Sequence, residues 1–216
     1  MDPISIVLIL LGGLFGAGML FLTRYFIKKR TGEKSESLLL NRSWSWIVWT
    51  AVGAVGCLVI VLLSGNVINN FEYMAIFLVL ISLSVVDGSI RKIPNELLLA
   101  LIVLKIIFVA ISGDWMQLLY ALAGFAVGWI LFIIPSILRI NIGWGDVKLA
   151  AVTGFYLGII GLFQSMVVMA VILGIYGAYL LITKKGTLKT KVAIGPPLSL
   201  GILVTLLYPL AAVIQI

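Results

Sequence analysis

LVLISLSVVDGSIRKIPN, Leu78 to Asn95, is an apolar run that ends on a carboxylate. Nine uncharged residues precede Asp87, and Gly88, Arg91, Lys92 and Pro94 follow before a further apolar run opens past Glu96. Gly88 is expected to break the first helix and Pro94 to start the next, because the fixed φ of proline suits a first helical turn, where its missing N–H is no loss. The stretch reads as a tight, positively charged turn between two apolar helices.

Outward from this turn the pattern recurs. The chain has 216 residues, 62% of them hydrophobic and 11% charged, with a mean hydropathy of +1.24. A bilayer-crossing helix needs about 20 apolar residues, and eight runs approach that length: 4–27, 44–64, 71–86, 95–112, 116–138, 146–162, 165–183 and 196–215. The expected fold is an all-α polytopic membrane bundle of about eight transmembrane helices. The longest polar stretch, Lys28 to Ser43, is about sixteen residues and too short to fold alone. One integral-membrane domain over 1–216 is therefore expected. The first run is too long for a signal-peptide core and has no basic residue ahead of it, so it is read as a retained helix. The pairs Gly12/Gly16, Gly124/Gly128 and Gly154/Gly158 are read as small-residue contacts between helices.

Charge sets the orientation. Fourteen of the fifteen Lys and Arg fall in odd-numbered connections or their flanks, and Lys105, inside a span, is the fifteenth. Cytoplasmic connections carry the positive excess, so these connections face the cytoplasm and both termini face outward. The net charge of +7 is accounted for by anionic lipid headgroups, with no need of nucleic acid. The chain has no histidine and one cysteine, Cys57. A disulfide framework within the chain and a thiolate metal site are excluded, and chemistry falls to carboxylates, lysines, hydroxyls or backbone. Cys57 is read as a small packing residue.

Of the eight acidic residues, Asp2, Glu72 and Asp114 lie at outer ends, Glu33 and Glu36 in the basic first connection, and Glu96 at a helix start. Asp87 is less comfortable, because it closes a helix where the dipole disfavours a carboxylate. Asp146 stands in NIGWGDVKLA, Asn141 to Ala150, and a helix cap is one reading of it. The other reading takes the two aspartates together, since both lie at cytoplasmic helix ends. Two carboxylates sharing a site hold one proton between them. One can take a proton from water while the other donates to a peptide carbonyl, which needs neither histidine nor metal. Gly143 and Gly145 are expected to supply backbone freedom and room for an extended peptide. For Lys148 two readings stand side by side: a partner for Asp146 or the substrate chain, and a snorkelling interface lysine. Lys105 is expected to have a structural partner or to line a polar cavity. Trp44, Trp46 and Trp49 are expected in an interfacial aromatic belt.

These residues also carry a resemblance. GWGDVKLA resembles the Gly-x-Gly-Asp signature of membrane aspartic proteases, and its Val-Lys-Leu narrows it to the type IV prepilin peptidases. Asp87 followed by IPN (Ile93 to Asn95) and KVAIGPPLSLG (Lys191 to Gly201) fit the same family. The resemblance covers roughly 71–216, the expected peptidase core, and is weaker over 1–70. It implies removal of the leader from type IV prepilins, pseudopilins or pilin-like membrane proteins at the cytoplasmic membrane, with Asp87 and Asp146 as catalytic pair. It implies supporting or substrate-binding places for Pro94, Asn95, Gly195 and Pro196, and no cofactor. Many bacterial relatives carry a cysteine-rich first loop that binds zinc and accompanies methylation of the product. Here that loop has no cysteine, so zinc there is excluded and methyl transfer is not expected. A rival reading is a transporter or assembly subunit using the aspartates for protons or ions. It would want midplane carboxylates and broken helices in related halves.

Overall fold

The structure is a computed structural model that describes residues 3–31, 40, 42–64, 67–138, 143–184, 187 and 192–210. Asp2, Glu33, Lys34, Glu36, Arg139, Lys185, Lys189 and Lys191 lie outside them, as do Asn141 and Ile142. The regular elements of the described residues are seven helices: α1 (Pro3–Thr31), α2 (Ser45–Ser64), α3 (Val67–Ile90), α4 (Asn95–Ser112), α5 (Met116–Ile137), α6 (Trp144–Ile182) and α7 (Gly195–Leu207). Six, α1 to α6, are long and apolar enough to cross a membrane. The protein is a polytopic helical membrane protein. Its helices form two compact units, Met1–Gly113 and Asp114–Ile216.

In the first unit α1 lies against α2 and α3, and α3 against α4. The glycines of α1 behave as expected: a Cβ on Gly16 would collide with the carbonyl of Trp49, and one on Gly53 with that of Gly12. Backbones can approach this closely in lipid only where side chains are missing. Cys57 packs among Leu8, Met74 and Leu78. Leu8 lies near the start of α1 and Met74 near the start of α3. Further along both helices, Oγ1 of Thr23 lies 2.9 Å from Oγ of Ser82. The two helices therefore run in the same direction. Trp44 and Trp46 are exposed, as an interfacial belt requires, but Trp49 is buried. Its backbone is the surface that Gly16 meets, so packing against α1 wins over the interface there.

In the second unit α5 pairs with the first part of α6. A Cβ on Gly124 would collide with the carbonyl of Gly154, and one on Gly128 with that of Ala150. α6 has 39 residues, or about 58 Å of helix at 1.5 Å per residue, nearly twice the roughly 30 Å hydrocarbon core. It is not straight. Gly158 has φ 70° and ψ −175°, a conformation essentially restricted to glycine. Met166 and Met169, beyond the break, pack against the cluster of Phe132, Val147 and Ala150. In a straight helix Val147 and Met169 would lie about 33 Å apart, so α6 turns back on itself at Gly158.

The hydropathy pattern puts a boundary between 162 and 165 and makes Gly158 a packing residue; the break lies at Gly158 itself. Gly158 instead serves by conformation, and a Cβ there would meet open space. Gln164, just beyond the break, ties α6 to the end of α7. Its amide donates to the carbonyl of Tyr208 at 2.7 Å and accepts from the N–H of Leu210 at 2.9 Å. Gln164 thus holds the end of α7. α7 stops at Leu207, short of the expected 215, because Pro209 disfavours helical conformation in the residue before it.

Candidate active site

Asp87 occupies the last turn of α3 and is 4% exposed. The helix does not break at Gly88 as expected but continues to Ile90. Arg91 then takes a left-handed φ of 51°, and its N–H donates to the carbonyl of Asp87 at 2.8 Å. That is a left-handed helix cap, closed on the backbone of the aspartate itself. Ile93 and Pro94 are buried, while Arg91, Lys92 and Asn95 are exposed. Pro94 is extended, with φ −67° and ψ 127°, and precedes the first helical residue, Asn95, by one. Its carbonyl accepts from Leu98 at 3.4 Å, opening α4.

Glu96, in the first turn of α4, reaches two cations of α1: Nζ of Lys29 at 3.1 Å and Nη2 of Arg30 at 3.5 Å. These pairs put the end of α1 and the start of α4 at one level, as the alternating orientation requires. Lys105 is half-buried in α4.

Asp146 is the third residue of α6. The N–H of Gly143 donates to its Oδ2 at 3.3 Å, and its own N–H donates to the carbonyl of Gly143 at 2.9 Å. This is half of a capping box: the carboxylate reaches back as in the full motif, and glycine has no side chain to return the bond. The capping reading of Asp146 is therefore realised. Gly143 has φ −71° and ψ 142°, which any residue can adopt, and Gly145 is helical. Neither needs the special backbone freedom expected of it. Gly143 matters by space, since a Cβ would stand 3.1 Å from Oδ2 of Asp146. Lys148, half-buried, starts about 200° around the helix from Asp146.

Behind Asp146, Val147, Leu149, Ala150 and Ala151 are fully buried, which seats the helix start firmly. α7 is antiparallel to the second arm of α6, with Gly201 against Ser165 and Thr205 against Gly161. This register carries Gly195 and Pro196 past the level of Met166 and Met169, which pack against the cluster that includes Val147. The lead-in to α7 and Asp146 thus share one end of the second unit. Pro196 is in the first turn of α7, and Leu198 donates to Ile194 at 3.1 Å. Among the described residues no three His, Cys, Asp or Glu side chains converge as a metal site would require.

The model of the type IV leader peptidase family matches residues 74–181, half of the chain. The chain belongs to that family. The match takes in α3 from Met74 onward, α4, α5 and all but the last residue of α6, and so includes both aspartates. No curated protein and no solved structure matches the chain. Two features of this type IV leader peptidase family chain escaped sequence reading: the Thr23–Ser82 pair and the bonding of Glu96 to α1. Ser82 and Ser84 both stand in the apolar run before Asp87, and nothing in the sequence marks Ser82 as the one with a partner on α1.

Proposed function

We propose that this chain is an intramembrane aspartic endopeptidase that removes the leader of prepilin-like membrane proteins at the cytoplasmic face of the cytoplasmic membrane. The observation that carries the reading is positional. Within the family match, Asp87 ends a helix against Arg91 and Lys92, and Asp146 begins one behind the Gly143 turn. Both are helix-end carboxylates beside connections that the charge pattern assigns to the cytoplasm.

In the proposed reaction the two carboxylates share one proton. The ionised member takes a proton from a water molecule, whose oxygen attacks the scissile carbonyl carbon. The protonated member donates to the carbonyl oxygen, and the C–N bond breaks as the leaving amine takes a proton. Pro94, Asn95, Gly195 and Pro196 would border the leader, Gly143 and Gly145 would leave room for its extended backbone, and Lys148 would meet its chain. The core would extend over 71–216 of a single membrane domain, with 1–70 as a divergent N-terminal part. Counting the arms of α6 on either side of Gly158 separately supports eight helices, with both termini outside. The product would leave unmethylated, because the first connection has no cysteine. Anionic headgroups would lie along the basic connections.

The break at Gly158 is the one feature that favours a transporter, since broken helices line ion sites. Among the described residues of α1 to α4 no helix interior shows a matching break.

The test is co-expression with a leader-bearing pilin-like protein, reading the mass of its N-terminus. Leader removal by the wild type and its loss in both Asp87→Asn and Asp146→Asn support the reading. Normal processing by either variant removes that residue from the reaction.

A further inference from the structure

Ser82 lies five residues before Asp87, and Thr23 faces it from α1; both are fully buried. Thr23 gives its only hydroxyl proton to the carbonyl of Met19 at 2.7 Å. In the 2.9 Å contact between the two hydroxyls, Ser82 is therefore the donor and Thr23 the acceptor. A directed chain runs from Ser82 through Thr23 to the backbone of α1. Hydrogen bonds between membrane helices add little stability on average, so stability is not the main consequence. Geometry is. Apolar attraction is non-directional, whereas a hydroxyl pair at this distance adds a directional constraint on the rotation of α3.

That rotation reaches Asp87. Five residues along a helix turn about 140° beyond one full revolution and rise about 7.5 Å. With Ser82 turned to α1, Asp87 faces a different flank of α3, which it shares with the fully buried Leu80 and Leu83. Past the aspartate, α1 makes a second attachment: Lys29 and Arg30 hold Glu96, immediately after the IPN stretch. The segment carrying Asp87 is thus attached to α1 before and after the carboxylate.

We propose that Thr23 and Ser82 are positioning residues whose hydroxyl pair sets the rotation of α3 and so the direction of the Asp87 side chain. The inference rests on the reading of Asp87 as catalytic. It gives the first helix, outside the family match, a part in a reaction it does not touch.

The test uses the full chain in a lipid bilayer with a leader-bearing pilin-like substrate. Thr23→Val keeps the side-chain shape and removes the hydroxyl, Ser82→Ala removes the other partner, and Thr23→Ser keeps the bond. Each of the first two is expected to lower kcat about tenfold with little change in KM, since small misplacement of a reacting group is costly. The double variant should be no worse than the worse single, because one bond is lost in all three. Thr23→Ser should restore the rate. Should Thr23→Val fail to accumulate, Ser82→Ala carries the same expectation. Unchanged kcat, or strictly additive losses, overturns the proposal.

A second measurement reads orientation without cleavage. Asp87→Cys is labelled with a small thiol reagent in the parent and in the Thr23→Val and Ser82→Ala backgrounds; buried Cys57 in the unsubstituted chain is the blank. The labelling rate should change several-fold when the hydroxyl pair is broken. Equal rates overturn the proposal whatever happens to kcat. Normal cleavage by Asp87→Asn would instead sink the catalytic reading and leave the labelling result intact.

Discussion

The two aspartates are held in opposite ways. Asp146 is fixed within four residues: its carboxylate and its N–H both bond the backbone of Gly143, at the positive end of a helix. Asp87 closes a helix, at the negative end, and the groups that orient its helix come from elsewhere in the chain. Ser82 reaches Thr23, fifty-nine residues away. One half of the proposed pair is built by local turn chemistry and the other by tertiary packing. Local positioning tolerates remote change, whereas tertiary positioning passes the sensitivity on to residues far from the chemistry.

The strongest test of this comparison removes each carboxylate. Asp87→Asn and Asp146→Asn keep nearly the same volume and lose the acid/base function. Each is expected to reduce leader cleavage about 10²- to 10⁴-fold, the usual worth of a general acid or base, measured as kcat on membrane-embedded substrate. The double variant should be hardly worse than either single, because the pair acts as a unit. Independent, additive losses would show that the two do not share a reaction.

Next in size is Gly158→Ala. The conformation at Gly158 is closed to alanine, and strain of this kind costs about 1–3 kcal/mol. The substitution should lower the thermal stability of the protein in detergent and loosen Met166 and Met169 from Val147. Gly124→Ala offers the contrast, since it fails by collision with the carbonyl of Gly154 rather than by strain. Equal stability of wild type and Gly158→Ala would show that the turn in α6 does not depend on that glycine.

The legibility of the sequence follows the same division. The helical class, the turn after Asp87, the close approach at Gly12 and Gly16, and the lead-in at Pro196 could all be read, because each depends on short-range pattern. A packing glycine and a bending glycine look alike in an apolar run; the backbone at Gly158 and the return of Met166 to the cluster of Phe132, Val147 and Ala150 distinguish them. Gln164 illustrates the same limit. The partners of this lone amide, Tyr208 and Leu210, lie more than forty residues on, beyond the reach of any local pattern. Thr23 and Ser82 carried no signal separable from ordinary hydroxyls in membrane helices.

Gly143→Ala probes the local half more gently. The backbone of Gly143 suits alanine, so folding should be unaffected, but the added Cβ would press on Oδ2 of Asp146 at 3.1 Å. A carboxylate displaced by a few tenths of an ångström should reduce kcat roughly tenfold or less, short of the effect of a full ångström of misplacement. The backbone bond from Gly143 survives the substitution, so KM should hold. Unchanged kcat would mean that Asp146 has slack the crowding does not take up.

The smallest effect expected is that of Glu96→Gln, which cuts both ties from α4 to Lys29 and Arg30 while keeping the helix start. Exposed ion pairs contribute little and are screened by salt, so the change in cleavage rate should be about twofold at most and should shrink as salt is raised. That weakness makes it informative. The two attachments of α1 flank the same aspartate, one buried and uncharged, the other exposed and ionic. If Glu96→Gln proved as damaging as Thr23→Val, the connection after Asp87 would be setting the carboxylate's direction. A small, salt-sensitive loss beside a large, salt-insensitive one for Thr23→Val would assign that role to the rotation of α3.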